Sequence, residues 1–446
     1  MTLARFSHKR PKKEETLAQK AEKRDRKLAL KQRLIGISPR WWIGTGEILG
    51  LAVLIGLNFF LLFPFFGHEH QFNGFSAPLI PVISNIISFL MPYSYALRFW
   101  LTVFLILFPL TFYFLIREIG RRRLTAFVAA FIVSLPISIF LSSRVNLGLL
   151  SKDGGHVASL TFTMLVCLFL LRFLRGGGFK MAIAASVGMT IVALASPLGL
   201  LILLCFSLAF AFSEMLLSQA RTKFLRFLVV IALAAGFSAF WYNPWFDFLI
   251  INSPQGELIR KTLLRLLPIS FFLAPLLGVF GFLLFENRPR FQSLFLAVFL
   301  TIGFSMLSLG TGMQFSSPSR FLPALGISLS FLFGIIVSYF FDYFQTSKKL
   351  RKLKIINRFR KLILLILTVL FLSLLWFIIS IFRGNLVHIQ EVQILGLDEI
   401  KKEGLWEMRR EIGKTANIFG GMISLFTFAL TFFLWKQFNL REEKRS

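Results

Sequence analysis

From residue 41 onward the chain alternates long apolar runs with short breaks that are mostly basic. About twenty apolar residues suffice to cross a hydrocarbon core roughly 30 Å thick as a helix. On that measure the pattern predicts spans near 41–66, 96–116, 124–141, 157–174, 181–195, 198–214, 224–242, 268–285, 291–310, 321–345, 362–382 and 415–435. The expected fold class is an all-α, polytopic transmembrane helical bundle of about 12 spans. The run at 181–214 is too long for one crossing. Pro197 and Gly199, in "SPLG", punctuate it as a hairpin of two shortish helices.

Charge orients the set. The breaks holding "REIGRRR" (117–123), "RGGGFK" (175–180), "RTKFLR" (221–226), "ENRPR" (286–290) and "SKKLRKLKIINRFRK" (347–361) are basic and take the cytoplasmic side, while the intervening breaks are poorer in Lys and Arg. The parity holds at each step. It predicts a multi-pass protein of the cell membrane with both termini cytoplasmic.

The expected organisation is a basic cytoplasmic tail at 1–40, a transmembrane core at 41–345 and a basic cytoplasmic loop at 346–361. A C-terminal helix pair at 362–435, with an outer loop at 383–414, precedes a cytoplasmic tail at 436–446. Outer loops of the core fall at 67–95, 142–156, 243–267 and 311–320. The first of these carries Pro78, Pro81 and Pro92, which break it into short helices at the interface.

Composition agrees with the pattern. The chain is 56% hydrophobic with a mean hydropathy of +0.72, and its 56 Phe exceed what a soluble domain hides, so a soluble enzyme is excluded. The net charge of +29 does not point to nucleic acid, because the basic residues concentrate between the apolar runs and at the two ends. The tail at 1–40 holds thirteen Lys and Arg against four acids. It reads as a topology-setting segment that lies on anionic lipid headgroups. Cys167 and Cys205 both fall inside apolar runs, which implies no extracytoplasmic disulfide framework. About forty polar residues precede the first span, so that span reads as an uncleaved anchor.

Few polar side chains are available for chemistry on the outer side. In "GHEHQF", Glu69 stands between His68 and His70; an extended backbone points the two imidazoles one way and the carboxylate the other. That pattern suits two metal ligands, a carboxylate base tuned by its neighbours, or the polar rim of a span. No third ligand is adjacent, so a metal requirement stays open and a divalent cation remains compatible.

In "SRVNLGLLSKDGGHVASL", Asp153 precedes Gly154, Gly155 and His156 and then an apolar run. Asp153 fits a helix cap. The same place fits an anion held by free N–H groups, with Arg144 and Lys152 adding charge. Arg320, after a Ser/Pro turn, either snorkels to headgroups or clamps a phosphate. Arg98 reads as a headgroup anchor, and Trp241, Tyr242 and Trp245 as an aromatic belt with Asp247 beside it. No phosphate-cradling GxxxxGK[ST], GxGxxG after a strand, or HExxH occurs, which argues against an ATP-driven pump. Ionisable residues deep in the spans are nearly absent, which argues against ion-coupled transport.

The segments "GHEHQFNGF", "DGGHVASL", "ALASPLGLLILL", "FWYNPW" and "SPSRFLPALGISLSFLFG" together resemble the GT-C-like class of polytopic bacterial membrane glycosyltransferases. More narrowly, they resemble the group labelled 6-pyruvoyl-tetrahydropterin synthase-related membrane domains, close to YfhO-like proteins. The resemblance spans most of 41–345. It implies transfer of a sugar from a polyprenyl-phosphate carrier to an envelope acceptor on the outer face. Glu69 would then be the base, Asp153 a second acid, and Arg144 and Arg320 would hold the carrier's phosphate. His68, His70, Lys152 and His156 would line the substrate. The chain departs from that pattern in setting its acid between histidines instead of in an Asp/Glu pair. The alternatives are a carrier or flippase for a lipid-linked substrate, and a catalytically inactive membrane scaffold of the same fold.

Overall fold

The computed structural model describes residues 45–63, 77–120, 122–135, 154–217, 219–252, 291–308, 321–346, 373 and 412–443. Among them every regular element is helical. In chain order these are α1 (Thr45–Leu62), α2 (Leu79–Ile87), α3 (Tyr93–Gly120), α4 (Arg123–Ser134), α5 (Gly154–Gly176) and α6 (Phe179–Ala195). They continue as α7 (Pro197–Leu217), α8 (Ala220–Ser238), α9 (Pro244–Asn252), α10 (Gln292–Ser308), α11 (Leu322–Thr346) and α12 (Lys414–Glu443).

Five of the described helices are long and apolar enough to cross a membrane: α3, α5, α7, and the stretches Leu322–Phe340 of α11 and Lys414–Gln437 of α12. The protein is an all-helical membrane protein among its described residues. Ten of the twelve predicted spans overlap a helix; that at 268–285, and all of 362–382 except residue 373, lie outside the described residues.

Several boundaries differ from expectation for local reasons. The second arm of the 181–214 hairpin is not short: α7 runs 21 residues, to Leu217. Pro197 opens it at the position where a missing N–H does no harm, and Ser196 Oγ accepts the Gly199 N–H at 3.2 Å. The helix of α5 already begins at Gly154, so His156 lies on a helix rather than in a loop. Within the stretch read as an outer loop at 67–95, α2 forms after Pro78 and α3 starts at Tyr93. The stretch at 243–267 likewise begins with a helix, α9, whose Asn243 Oδ1 accepts the Phe246 N–H at 2.8 Å.

Helix directions follow from the hydrogen bonds between neighbours. Thr161 Oγ1 donates to Phe104 O at 3.0 Å, and Arg175 Nη1 donates to Glu118 O at 2.9 Å; both pairs are 57 residues apart, so α3 and α5 run parallel in register. Ser186 and Thr190 of α6 donate to Val230 O and Ala234 O of α8, each across 44 residues, so these two are parallel as well. The α5–α6 hairpin turns through Gly177 and Gly178, both at positive φ (69° and 97°), which L side chains rarely adopt.

Lipid tails are as apolar as leucine, so close approach and polar contacts hold such helices together. A Cβ at Gly334 of α11 would sit 2.8 Å from Thr125 O and from the Ala129 Cβ of α4. Gly199 of α7 is pressed in the same way against the Ser159 side chain of α5. On α12, Gly420, Ser424 and Thr427 face α8, where Ser424 Oγ accepts the Phe240 N–H and donates to Gly236 O. The opposite side of α12 leaves Met422, Leu425, Phe426 and Phe432 more than half exposed, as a lipid-facing surface would. Phe108, Phe112, Tyr113, Phe210, Phe304 and Phe321 fill the centre.

Candidate functional site

The C-terminal ends of α3, α5 and α7 and the N-terminal ends of α8 and α10 meet in a cluster of charged side chains. Glu214 is its centre, with a side chain only 2% exposed. Its Oε1 accepts from Arg175 Nε at 2.8 Å and from Gln292 Nε2 at 2.7 Å, and its Oε2 accepts from Lys223 Nζ at 3.1 Å. Lys223 donates also to Glu214 O, and Arg175 Nη2 to Gln292 Oε1. Glu118 accepts from Arg172 at 3.3 Å and pairs with Arg175 at 3.6 Å. Arg226 Nη1 closes the end of α5 by donating to Phe173 O and Leu174 O, carbonyls that a helix terminus leaves free.

Each carboxylate in this cluster meets a cation, and the Gln292 amide both donates and accepts. A buried ion pair completed in this way ties elements together, and breaking it strands a charge in a medium that solvates it poorly. The arrangement ties five helices together, and both of its carboxylates are paired with cations.

The opposite end of α3 is different. Arg98 is 2% exposed, although it lies one and a half turns into a 28-residue apolar helix. Its Nε has no hydrogen-bond partner, and among the described residues no carboxylate pairs with the guanidinium. It rests instead over the Tyr95 ring, 5.2 Å from the centroid. Ser84 of α2 is fully buried, and its hydroxyl also lacks a partner. The register of 57 residues sets Arg98 level with Gly155, in the first turn of α5, where Gly154, Gly155 and His156 are all buried. Helix α2 packs on both α3 and α5 at this end, through Ile80, Leu97, Leu101, Val157 and Ala158.

Of the residues that the resemblance assigns to the transfer site, only His156 is described, and it is wholly buried. His68, Glu69, His70, Arg144, Lys152, Asp153 and Arg320 lie outside the described residues. The headgroup-anchor reading of Arg98 does not survive, because an anchor must reach the lipid–water boundary and this side chain is enclosed. In the aromatic segment Trp245 is exposed, whereas Tyr242 turns inward and donates to Ala193 O at 2.8 Å. Asp247 is exposed as a residue, yet apolar surroundings partly desolvate its carboxyl and raise its pKa above the usual carboxylate value.

The Glu214 cluster went unread in the sequence. A signal for it exists: an acid near the end of one apolar run, a lysine nine residues later, and a glutamine opening a third run. Among the described residues, no three His, Cys, Asp or Glu side chains gather as metal ligands would. No protein-family model, curated protein or solved structure matches the chain.

Proposed function

We propose that the chain is a multi-pass membrane glycosyltransferase of GT-C-like architecture, with about twelve spans and both termini cytoplasmic. It moves a sugar from a polyprenyl-phosphate carrier to an envelope acceptor on the extracytoplasmic face. The observation that supports this reading most is the contrast between the two ends of the bundle. The end holding Glu214 also carries Arg117, Arg122, Arg123, Arg172, Arg175, Lys180, Arg221, Lys223 and Arg226, a basic density that suits the cytoplasmic side. Its ionic pairs are complete. The end holding Arg98 and Ser84 then faces outward, and there the Arg98 Nε and the Ser84 hydroxyl are buried without a hydrogen-bond partner among the described residues.

In this reading Glu69 takes the proton from the acceptor hydroxyl as its oxygen attacks the anomeric carbon of the donor sugar. The bond from that carbon to the phosphate oxygen breaks, and the polyprenyl phosphate leaves with the electron pair. Arg144, Arg320 and Lys152 stabilise the leaving phosphate. Asp153 is the second acid, and His68, His70 and His156 border the sugar. A divalent cation, if the protein uses one, would assist in holding the phosphate.

The test is direct. Glu69→Ala and Asp153→Ala are assayed singly for transfer from polyprenyl-phosphate sugars, with and without a chelator. Loss of a general base lowers the rate by roughly a hundredfold or more. Undiminished product from both variants removes the catalytic assignment.

A further inference from the structure

Two cations stand in the first turn of α8, on opposite sides of the helix. Lys223 is buried and donates to both the backbone and the carboxylate of Glu214. Arg221 is exposed, and among the described residues no carboxylate pairs with it. Positions three, four, seven and eleven beyond Arg221 share its face. They hold Phe224, Leu225, Leu228 and Ala232, all exposed, the three larger ones by 47, 53 and 43%. The opposite face of α8 is the packed one, where Val230 O and Ala234 O accept from Ser186 and Thr190 of α6.

We propose that this face of α8 binds one anionic phospholipid of the cytoplasmic leaflet, with Arg221 on the headgroup and Phe224, Leu225 and Leu228 along an acyl chain. Length supports a lipid. Arg221 to Ala232 covers roughly 16 Å at the helical rise, about half of a hydrocarbon core roughly 30 Å thick, which is one leaflet. Side-chain size also favours a lipid over another helix. Where α12 packs on α8 it does so at Gly236, against Thr427, and α4 meets α11 at Gly334. The strip below Arg221 offers bulky side chains instead. Charge selects the class, because a zwitterionic headgroup carries its own ammonium beside the phosphate, whereas an anionic one brings uncompensated charge to the guanidinium. The inference borrows only the orientation proposed above and stands without the transfer chemistry.

Lys180, which opens α6, supplies a matched control. It too is exposed and has no paired carboxylate among the described residues. The corresponding positions beyond it, Ile183, Ala184 and Val187, are not exposed, so it has a charge without a strip.

The purified full chain is titrated in detergent with phosphatidylglycerol and with phosphatidylcholine of the same acyl chains, and bound lipids are counted by native mass spectrometry. Arg221→Gln should weaken phosphatidylglycerol binding roughly fivefold, the effect of one arginine at an anionic surface, and leave phosphatidylcholine binding unchanged. Arg221→Lys should retain most of the preference, and Lys180→Gln should retain all of it. Unchanged phosphatidylglycerol binding in Arg221→Gln overturns the proposal, as does an equal loss in Lys180→Gln, which would reduce the effect to diffuse surface charge. Displacement by glycerophosphoglycerol, the headgroup without chains, also overturns it by assigning the site to a soluble anion. In liposomes, a disulfide dimer that depends on Leu225→Cys would give this face to a second copy and overturn it too. Arg221-dependent lipid preference in a chain that transfers no sugar removes the enzyme reading and leaves this site standing. Sugar transfer in a chain whose lipid binding ignores Arg221 does the opposite.

Discussion

Glu214 and Arg98 are both buried charges on long apolar helices, and their surroundings differ in kind. Glu214 collects Arg175, Lys223 and Gln292 from three other helices, all within 3.1 Å. Arg98 collects a tyrosine ring and lies level with a helix terminus that repels it as a cation. The first arrangement is closed and answers to stability. The second shows no paired carboxylate among the described residues. Burial alone therefore does not distinguish a locked charge from an unpaired one; the sign and number of the neighbours do.

The comparison can be broken at either end. The largest effect is expected at Glu214. Glu214→Ala strands Lys223 and removes one of the two carboxylates that Arg175 meets, and its cost is about 3–5 kcal/mol, read as a large fall in melting temperature in detergent. A small effect there would mean that water reaches the cluster and the pairs are not holding the bundle.

Helix approach comes next. Gly334→Val must push against Thr125 O and Ala129, at a cost of about 1–3 kcal/mol. Wild-type stability in that variant would show that α4 and α11 are free to separate. The smallest effect belongs to an interhelical hydroxyl. Thr190→Val removes the donation to Ala234 O while keeping the side-chain shape, and about 0.6 kcal/mol should be lost.

Much of the helical layout was legible in the sequence, because membrane spans announce themselves by length and apolarity. Ten expected spans meet a described helix, and the break at Ser196–Gly199 is where the proline and glycine put it. Helix ends were less legible. Helix α7 continues three residues past the expected end at 214, and Glu214 stays in the bundle because Arg175, 39 positions away, pairs with it and Gln292, 78 positions away, donates to it. No local pattern carries that information. The same holds for Arg98. Its position near the start of a span reads as an anchor until α2 is seen to pack over that end, and α2 lies within a stretch whose prolines signalled only a broken loop.

The site itself was less legible than the fold. His156 is the one candidate among the described residues, whereas Arg98 and Ser84 were passed over, one as an anchor and the other as part of an interfacial segment. Their meaning depends on the parallel register of α3 and α5, which arises from contacts across 57 residues.

The most direct measurement compares Arg98→Gln with Arg226→Gln by thermal unfolding in detergent. Arg98→Gln should keep or raise the wild-type melting temperature, because it removes a buried charge that no described carboxylate pairs with. Arg226→Gln, which uncaps the end of α5, should lower it. The reverse pattern, with stability falling at Arg98 and holding at Arg226, would contradict the division between a locked charge and an unpaired one.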